Sequence, residues 1–289
     1  VNHNSDIKKA KKLIKVSKKV GADCVKFQAF KASEIATKNC GLALYQKKRI
    51  GFKSQYEMLK KYELKELQFK HLFEYAKKIK IDFLLSVFDE SSYYLDKKLN
   101  TKFIKIPSGE ITNYPLLNLC AKSKKRVILS TGASKIEEVA NALKVLKKKN
   151  TVLLHCNSAY PSPIKDTNIN NLYTLKKIFK KDVGLSDHSK STLIPAISVG
   201  AGSTFIEKHI TLSNKMSGPD HSASLNPYNF NKMVENIRLA EKSMGSFKKK
   251  PSQSEKKNLK IIRKYIVAKK SISKGQKFSE KNICVKRSN

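Results

Sequence analysis

The chain has 289 residues and a formal net charge of +37, from 60 lysine and arginine residues against 23 aspartate and glutamate residues. So large a positive charge is typical of proteins that bind nucleic acid. However, only five of the basic residues are arginine, which base and phosphate recognition favours. The lysines are spread over nearly every predicted helix. We therefore interpret them as solvated helix faces that attract anionic substrates, rather than as a nucleic-acid-binding stripe.

The five cysteines form no Cys-x-x-Cys pair and their number is odd, which favours reduced thiols over a disulfide framework. No apolar run approaches the roughly 20 residues of a membrane span, and no signal peptide is recognisable. These features predict a cytoplasmic protein without a membrane segment. The chain opens at Val1 on what resembles the tail of a strand, so we expect its first strand to be incomplete.

Apolar residues alternate between helical and strand periodicity along the first 245 residues. Helices are predicted at residues 6–20, 64–80, 114–123, 135–148, 170–180, 191–199 and 227–243. Strands are predicted at residues 24–28, 81–88, 103–106, 127–130, 151–156, 183–186 and 204–209, with an eighth fragment at Val1. Residues 29–62 are predicted to be irregular, because they are too polar for core elements.

Repeated strand–helix units of this length predict an α/β fold, a (β/α)8 TIM barrel. The alternative is a doubly wound sheet, which usually carries a glycine-rich phosphate loop after its first strand; this sequence has no such motif there. In a barrel, active-site residues lie at the carboxyl ends of the strands. Polar side chains follow each predicted strand at that end. Their common placement favours an enzyme over a binding module or a structural protein.

Two of the six histidines, His188 and His209, end consecutive predicted strands. Imidazole side chains suit a divalent transition metal, with open positions for water and substrate. They suit general acid–base catalysis equally well. The residue pattern alone leaves both roles open.

Lys26 and Lys105 stand inside apolar runs, where a lysine is costly without an anionic partner. One interpretation is the Schiff-base lysine of an aldolase. Another is a pair of cations that grips a phosphorylated or carboxylated substrate. The third is a structural salt bridge, with Glu110 or Glu207 as the partner.

Serine hydroxyls accompany these lysines at the predicted strand ends, at Ser108, Ser130 and Ser186. The turn that contains Gly132 adds a flexible backbone, whose N–H groups can point at an anion. This combination favours a phosphate cradle over a single Schiff base.

The chain resembles the N-acetylneuraminate (sialic acid) synthase family, which includes legionaminic and pseudaminic acid synthases. The resemblance covers residues 1 to about 245, and its motifs are specific when taken together in order. They read VNHNSDIKKAKKLI, GADCVKFQAFKA, YEMLKKYEL, IKIPSGEITNYPLL, ILSTGAS, LHCNSAYPSP, VGLSDHS, EKHIT and GPDHSASL. After a linker at residues 246–261, residues 262–289 resemble the start of the small β-rich SAF (antifreeze-like, β-clip) domain of these synthases.

The resemblance implies a transferase that condenses phosphoenolpyruvate with an N-acylated hexose and water, to give a nine-carbon 2-keto sugar acid and phosphate. The hexose is N-acetylmannosamine or a 2,4-diacetamido-trideoxyhexose. His188 and His209 match the family's metal ligands; Mn2+ is the expected metal, with Mg2+ or Co2+ as alternatives. The positions that bind phosphoenolpyruvate in the family match Lys26, Lys105, Ser108, Ser130 and Ser186.

Sugar contacts in the family imply roles for further residues of this chain. The matching positions are Gln28, Ser86, Glu110, Ser158, Tyr160 and Asp220. In family dimers, an arginine of the SAF domain reaches the barrel of the other subunit and contacts the N-acyl group. Arg287 matches it, so the resemblance implies a domain-swapped homodimer.

One departure from the family concerns strand one, where relatives carry a glutamate a few residues before the Asn2–His3 pair. This sequence starts after that position, so we expect poor activity from these 289 residues alone.

His221 follows the Gly-Pro-Asp motif where pseudaminate relatives tend to have serine. That difference leaves sialic and legionaminic acid as nearly equal alternatives. A Schiff-base aldolase and a basic nucleic-acid-binding protein are the alternatives from other classes.

Overall fold

A computed structural model describes residues 1–42, 51–147 and 150–288. The chain forms two compact units, Val1–Met244 and Gly245–Asn289. Among the described residues, no helix is both long and apolar enough to cross a membrane.

Seven parallel strands form one sheet in the first unit, and each strand pairs with the next one along the chain. The strands are β1 Cys24–Ala29, β2 Asp82–Val87, β3 Phe103–Ile106, β4 Arg126–Ser130, β5 Thr151–Cys156, β6 Asp182–Asp187 and β7 Ser203–Lys208. Since consecutive parallel strands bring all their carboxyl ends to one edge, the polar residues that follow them meet there.

Helices connect the strands and cover the outside of the sheet. They are α1 Ile7–Lys19, α2 Ala32–Ile35, α3 Gln55–Tyr62, α4 Glu66–Lys78, α5 Glu90–Leu99, α6 Tyr114–Lys122, α7 Ile136–Leu146, α8 Asn171–Phe179, α9 Ile194–Gly200 and α10 Pro227–Met244. The first helix shows the local logic: the Asp6 side chain accepts hydrogen bonds from the backbone N–H groups of Lys8 and Lys9, and α1 then buries Ala10 and Ile14.

The central strands are apolar because the fold covers them on both faces. Every residue of β5 is buried, and in β2 only Asp82 is exposed. Leu84, Ile128 and Leu154 pack together in one cluster, while other apolar residues of the strands pack with helix residues in larger clusters. The sheet therefore has an inner and an outer apolar layer, the arrangement of a barrel wall.

The sheet has an open seam between its two terminal strands, β1 and β7. A cavity of about 440 Å3 lies there, and apolar side chains such as Phe27, Phe205 and Phe230 line it together with charged ones such as Lys105 and Glu207. The residues of β7 are partly exposed, unlike those of β5. Residues 1–4 form a turn and not the strand fragment that we predicted, so the described part of the chain contributes seven strands to this sheet.

Two predictions about helices were wrong. Residues 29–62 are not wholly irregular, since they contain α2 and α3, and α5 was not predicted at all. The sequence of α5, ESSYYLDKKL, is too polar for a clear apolar stripe, but Asp89 caps it by accepting from the N–H of Ser92. Residues 43–50 and the predicted helix end at Lys148 lie outside the described residues.

The second unit contains a two-stranded antiparallel sheet, made by β8 Tyr265–Ala268 and β9 Ile283–Lys286. Two single-turn helices precede it, α11 Gln253–Lys256 and α12 Leu259–Ile262. Most side chains of this unit are exposed, whereas Asn282 is buried and donates to the carbonyl oxygen of Lys277.

Candidate active site at the carboxyl end of the sheet

A cavity of about 670 Å3 lies at the carboxyl ends of the strands. Thirteen of the fourteen side chains that we predicted as site residues line it, and they come from all seven strands or the loops that follow them. They are Lys26, Gln28, Ser86, Lys105, Ser108, Glu110, Ser130, Ser158, Tyr160, Ser186, His188, His209 and Asp220. The remaining one, Arg287, lies in the second unit just after β9, and it is exposed.

Two ammonium groups meet one carboxylate in this cavity. The Nζ atoms of Lys26 and Lys105 each lie 3.6 Å from Oε2 of Glu207. Burial lowers the pKa of Lys105, and the charge of Glu207 opposes that effect. Burial raises the pKa of Glu207, but the charges of Lys105 and Lys26 outweigh it and hold the carboxyl well below its ordinary pKa. At their formal charges, two lysines and one glutamate leave one positive charge in excess at this point of the cavity.

Serine hydroxyls surround this charged group. Lys105 Nζ donates to Ser130 Oγ at 2.8 Å, and Ser186 Oγ donates to Glu207 Oε1 at 2.6 Å. The lysine side chain is only 2% exposed, so its charge is held within the strand ends. Such a set of fixed hydroxyl and ammonium donors can bind an anion that enters the cavity.

Gly132 leaves room for the donors of neighbouring residues. Its N–H donates to Ser108 Oγ at 2.8 Å. A Cβ atom at this position would come within 2.4 Å of Ser158 Oγ and 2.9 Å of Ser108 Oγ. A side chain at position 132 would therefore force both hydroxyls to move, at the point where three strand ends approach one another.

His188 is oriented by a backbone carbonyl. Its Nδ1 lies 2.7 Å from the carbonyl oxygen of Asn157. A carbonyl only accepts, so Nδ1 carries the proton and Nε2 keeps its lone pair in the neutral ring. Burial lowers the pKa of His188, so this neutral form prevails at pH 7. A hydrogen bond of this kind is common in metal-binding histidines.

His209 lies beside His188, with ring centroids 5.3 Å apart. Burial lowers the pKa of His209 well below its ordinary value, and the neighbouring His188 adds to the effect. The ring of Tyr160 packs against both imidazoles, at 4.2 Å from His188 and 5.9 Å from His209 between centroids. Tyr160 thus holds the histidine pair from a third element, the loop after β5.

The histidine pair fits a metal only in part. Two neutral imidazoles offer two nitrogen donors, which suits a site with open positions. In the described ranges, no group of three or more His, Cys, Asp and Glu side chains is arranged to hold a metal. Water or substrate would therefore have to supply the other ligands.

The central position of Glu207 was missed as a site residue, although it was considered as a salt-bridge partner. The signal for it was the alternation of a strand, since Glu207 stands two residues before His209 and therefore shares its face. Asn157 was also missed. It acts through its backbone carbonyl, so its residue type carries no signal.

The sequence model of the NeuB family matches residues 13–249. The chain belongs to the NeuB family. It is 46% identical to an N,N'-diacetyllegionaminic acid synthase of Campylobacter jejuni, over 99% of this chain and 88% of that protein. It is 41% identical to the enzyme of the same name from Legionella pneumophila, over 99% and 83%.

The fold of this NeuB family chain is also similar to a solved structure. The crystal structure of an N-acetylneuraminic acid (sialic acid) synthetase from Leptospira borgpetersenii aligns with a TM-score of 0.78 and 31% identity. The alignment covers 89% of this chain and 87% of that one. The predicted family is thereby confirmed, and so is an α/β fold with a curled parallel sheet.

Proposed function

We propose that this chain is a transferase that joins phosphoenolpyruvate to the aldehyde carbon of an N-acylated amino sugar. The observation that carries the proposal is the pairing of Lys26 and Lys105 around Glu207, beside two neutral histidines in one cavity. Membership of the NeuB family supports it, as do the two relatives that are N,N'-diacetyllegionaminic acid synthases.

Phosphoenolpyruvate binds at the lysine end of the cavity. Its phosphate and carboxylate are both anionic, and the lysine–glutamate group has positive charge left to balance them. The hydroxyls of Ser108, Ser130 and Ser186 and the backbone at Gly132 complete the cradle. Lys105 is preorganised for this task, because its bond to Ser130 Oγ fixes the ammonium before substrate arrives.

The sugar aldehyde lies on the histidine side. His188 and His209 hold a divalent metal, with Mn2+ as the expected ion and Mg2+ or Co2+ as alternatives. When bound, the metal supplies Lewis-acid polarisation of the aldehyde oxygen. Tyr160 keeps both imidazoles in place and excludes water from one side of them.

The reaction balances with one water molecule. C3 of phosphoenolpyruvate forms a bond to the aldehyde carbon, whose oxygen becomes a hydroxyl on protonation. Water adds at C2, and phosphate leaves as that carbon becomes the ketone of the product. Lys26 and Lys105 stabilise the negative charge on the departing phosphate.

The remaining predicted residues contact the sugar. Their side chains are Gln28, Ser86, Glu110, Ser158, Tyr160 and Asp220.

We propose Arg287, from the second unit of another subunit, as the donor to the N-acyl carbonyl, which requires a domain-swapped homodimer. Mixing inactive His188→Ala and Arg287→Ala proteins tests this: mixed dimers should regain activity at one site. No recovery after verified subunit exchange would contradict it.

The identities favour a 2,4-diacetamido-trideoxyhexose over N-acetylmannosamine. The two legionaminic acid synthases are 46% and 41% identical, against 31% for the sialic acid synthetase of Leptospira. We therefore propose a legionaminic-type product; pseudaminic acid is the less favoured alternative.

The wider architecture is proposed on similar grounds. We propose a (β/α)8-type barrel architecture for residues 1–245, to which the described residues contribute seven strands, followed by a linker at residues 246–261 and a partial SAF domain at residues 262–289. The consecutive parallel strands support the barrel, and the seam between β1 and β7 has the position of a further strand. The antiparallel pair β8–β9 supports a small β-rich domain.

The test is phosphate release from phosphoenolpyruvate, with 2,4-diacetamido-2,4,6-trideoxymannose and N-acetylmannosamine supplied separately. Release should require a sugar, and it should be faster with the diacetamido sugar. Release that is independent of any sugar, or absent with both, would contradict the proposal.

One observation favours a second candidate, a Schiff-base aldolase. Burial lowers the pKa of Lys105, as a Schiff-base lysine requires. Borohydride in the presence of pyruvate would then trap an adduct on Lys105. We expect no adduct, because the Lys105 side chain is only 2% exposed and its Nζ already contacts Glu207 and Ser130.

A further inference from the structure

The two residues that immediately precede His188 and His209 form a buried ion pair. Asp187 and Lys208 are adjacent partners in the β6–β7 register, and they form its last rung. Each precedes a histidine, His188 or His209, in the sequence. Because side chains alternate along a strand, this pair points to the opposite face from the histidines. The side chains are 1% and 2% exposed.

The ammonium of Lys208 spans both sides of His188. Its Nζ donates to Oδ2 of Asp187, the residue before His188, at 2.5 Å. It also donates to the carbonyl oxygens of two residues that follow His188, Ser189 at 2.5 Å and Ser191 at 3.3 Å. All three N–H donors of the ammonium thus have acceptors. Lys208, which precedes His209, therefore fixes the backbone on both sides of His188.

Asp187 completes the network from its own strand. Its Oδ1 accepts from the backbone N–H of Ser189 at 2.8 Å, and its Oδ2 accepts from Ser189 Oγ at 3.1 Å. These bonds fold the chain tightly around His188. The carboxylate thereby holds both the neighbouring backbone and the ammonium of the next strand.

The sheet does not hold the histidines to each other, because its pairing stops one residue earlier. Beyond that rung, the carbonyl oxygen of His188 accepts from Ser162, and that of His209 accepts from Leu225. Those bonds lead to two different loops. Asp187 and Lys208 thus form the last rung that joins the two strands before the imidazoles.

Stability is a weak explanation for such a pair. Burying both charges costs several kcal/mol per ion, and well-packed apolar residues often give equal or greater stability. A buried pair is better explained by the geometry that it imposes. Here that geometry is the spacing of two imidazole rings whose centroids lie 5.3 Å apart.

We propose that Asp187 and Lys208 are positioning residues that set the separation of His188 and His209, and thereby the affinity for a divalent metal. This inference rests on the proposed metal site of the two histidines. Neither side chain contacts the metal or the substrates; both act through the backbone around His188.

The experiment measures Mn2+ affinity by the electron paramagnetic resonance of free Mn2+, alongside phosphoenolpyruvate affinity and the free energy of unfolding. Lys208→Met should lower Mn2+ affinity about 10- to 100-fold, the usual effect of removing an outer support of a metal ligand. Asp187→Asn keeps the side-chain shape and should give a smaller loss in the same direction. It also keeps the test decisive if Lys208→Met does not fold.

The matched control is Lys125→Met. Lys125 Nζ also makes a buried bond to an aspartate, Asp96 Oδ2 at 2.7 Å, and it precedes β4 at the opposite end of the strands. This variant should lose stability and leave Mn2+ affinity unchanged. Lys208→Arg, which keeps the charge, should recover part of the Mn2+ affinity.

The outcomes distinguish the positioning role of Asp187 and Lys208 from the proposed metal site itself. If His188→Ala lowers Mn2+ affinity but folded Lys208→Met and Asp187→Asn bind as the unmodified chain does, the positioning role is wrong and the metal site stands. If the unmodified chain binds no Mn2+, or His188→Ala binds equally well, both proposals fall. Equal losses in Lys208→Met and Lys125→Met would also overturn the positioning role.

Discussion

Two cavities border the same sheet, and they differ in what they require of the sequence. The cavity at the strand ends, about 670 Å3, brings together ammonium, carboxylate, hydroxyl and imidazole groups. The seam cavity, about 440 Å3, lies between β1 and β7 and adds an apolar wall that includes Phe205 and Phe230, while Lys105 and Glu207 line both cavities. The charged groups of the first cavity need partners, whereas the apolar wall of the second follows from two terminal strands that do not pair with each other. A cluster of compensated buried charges is therefore the stronger indication of function.

The largest expected effect concerns the histidines. His188→Ala or His209→Ala should lower turnover roughly a hundredfold or more, because the Lewis-acid contribution of the proposed metal would be worth several kcal/mol. Steady-state phosphate release measures this, and circular dichroism checks the fold. The matched control is His71→Ala, since His71 is exposed on α4. Full turnover after chelator treatment of the unmodified protein would contradict the proposal that His188 and His209 hold a metal.

A second prediction concerns stability on the two sides of the sheet. Ile104 on β3 is fully buried, whereas Ile206 on β7 borders the seam and is partly exposed. Ile104→Ala should lower the free energy of unfolding by about 2–5 kcal/mol, and Ile206→Ala by less than about 2 kcal/mol. Urea denaturation measures both. Equal losses would mean that the seam is packed as tightly as the closed wall.

A smaller effect is expected from pH. Burial lowers the pKa of His221 to about 4, with both ring nitrogens bonded, to Thr211 and Asn4. Between about pH 4 and 6.5 the unfolded chain binds more protons at this histidine than the folded chain does. The free energy of unfolding should therefore fall as the pH falls, by at most about 1.4 kcal/mol per unit for this group.

The measurement is urea denaturation at several pH values within that window. Replacing the ring by His221→Gln should lower stability at neutral pH and flatten the dependence. A slope that His221→Gln leaves unchanged would assign the effect to other groups, such as the buried His188 and His209.

Much of this structure was predictable because its signals are local. Strands such as β5 are continuous apolar runs, and in a parallel sheet the residues that follow them share one edge. This is why thirteen predicted site residues, Arg287 being the exception, line one cavity. The family resemblance implies particular roles where chemistry alone left several open, and those roles stay predictions.

The rest depended on tertiary context. The polar helix α5 is specified by its cap and its packing and not by an apolar stripe. The steric need for Gly132 arises from serines 24 and 26 residues away, at Ser108 and Ser158. The link between Asp187 and Lys208 joins two strands, so spacing along one strand could not reveal it.

The most direct test of the central claim is titration calorimetry of phosphoenolpyruvate binding to Lys105→Met and Lys102→Met. Lys105 lies inside the polar cavity, whereas Lys102 is exposed and pairs with Asp82 near the start of β2. Losing a charge-assisted bond at Lys105 should weaken binding by about 1.5–3 kcal/mol, roughly ten- to a hundredfold. Lys102→Met should bind as the unmodified protein does. Equal affinity in both variants would contradict the claim that the cavity at the strand ends binds the anionic substrate.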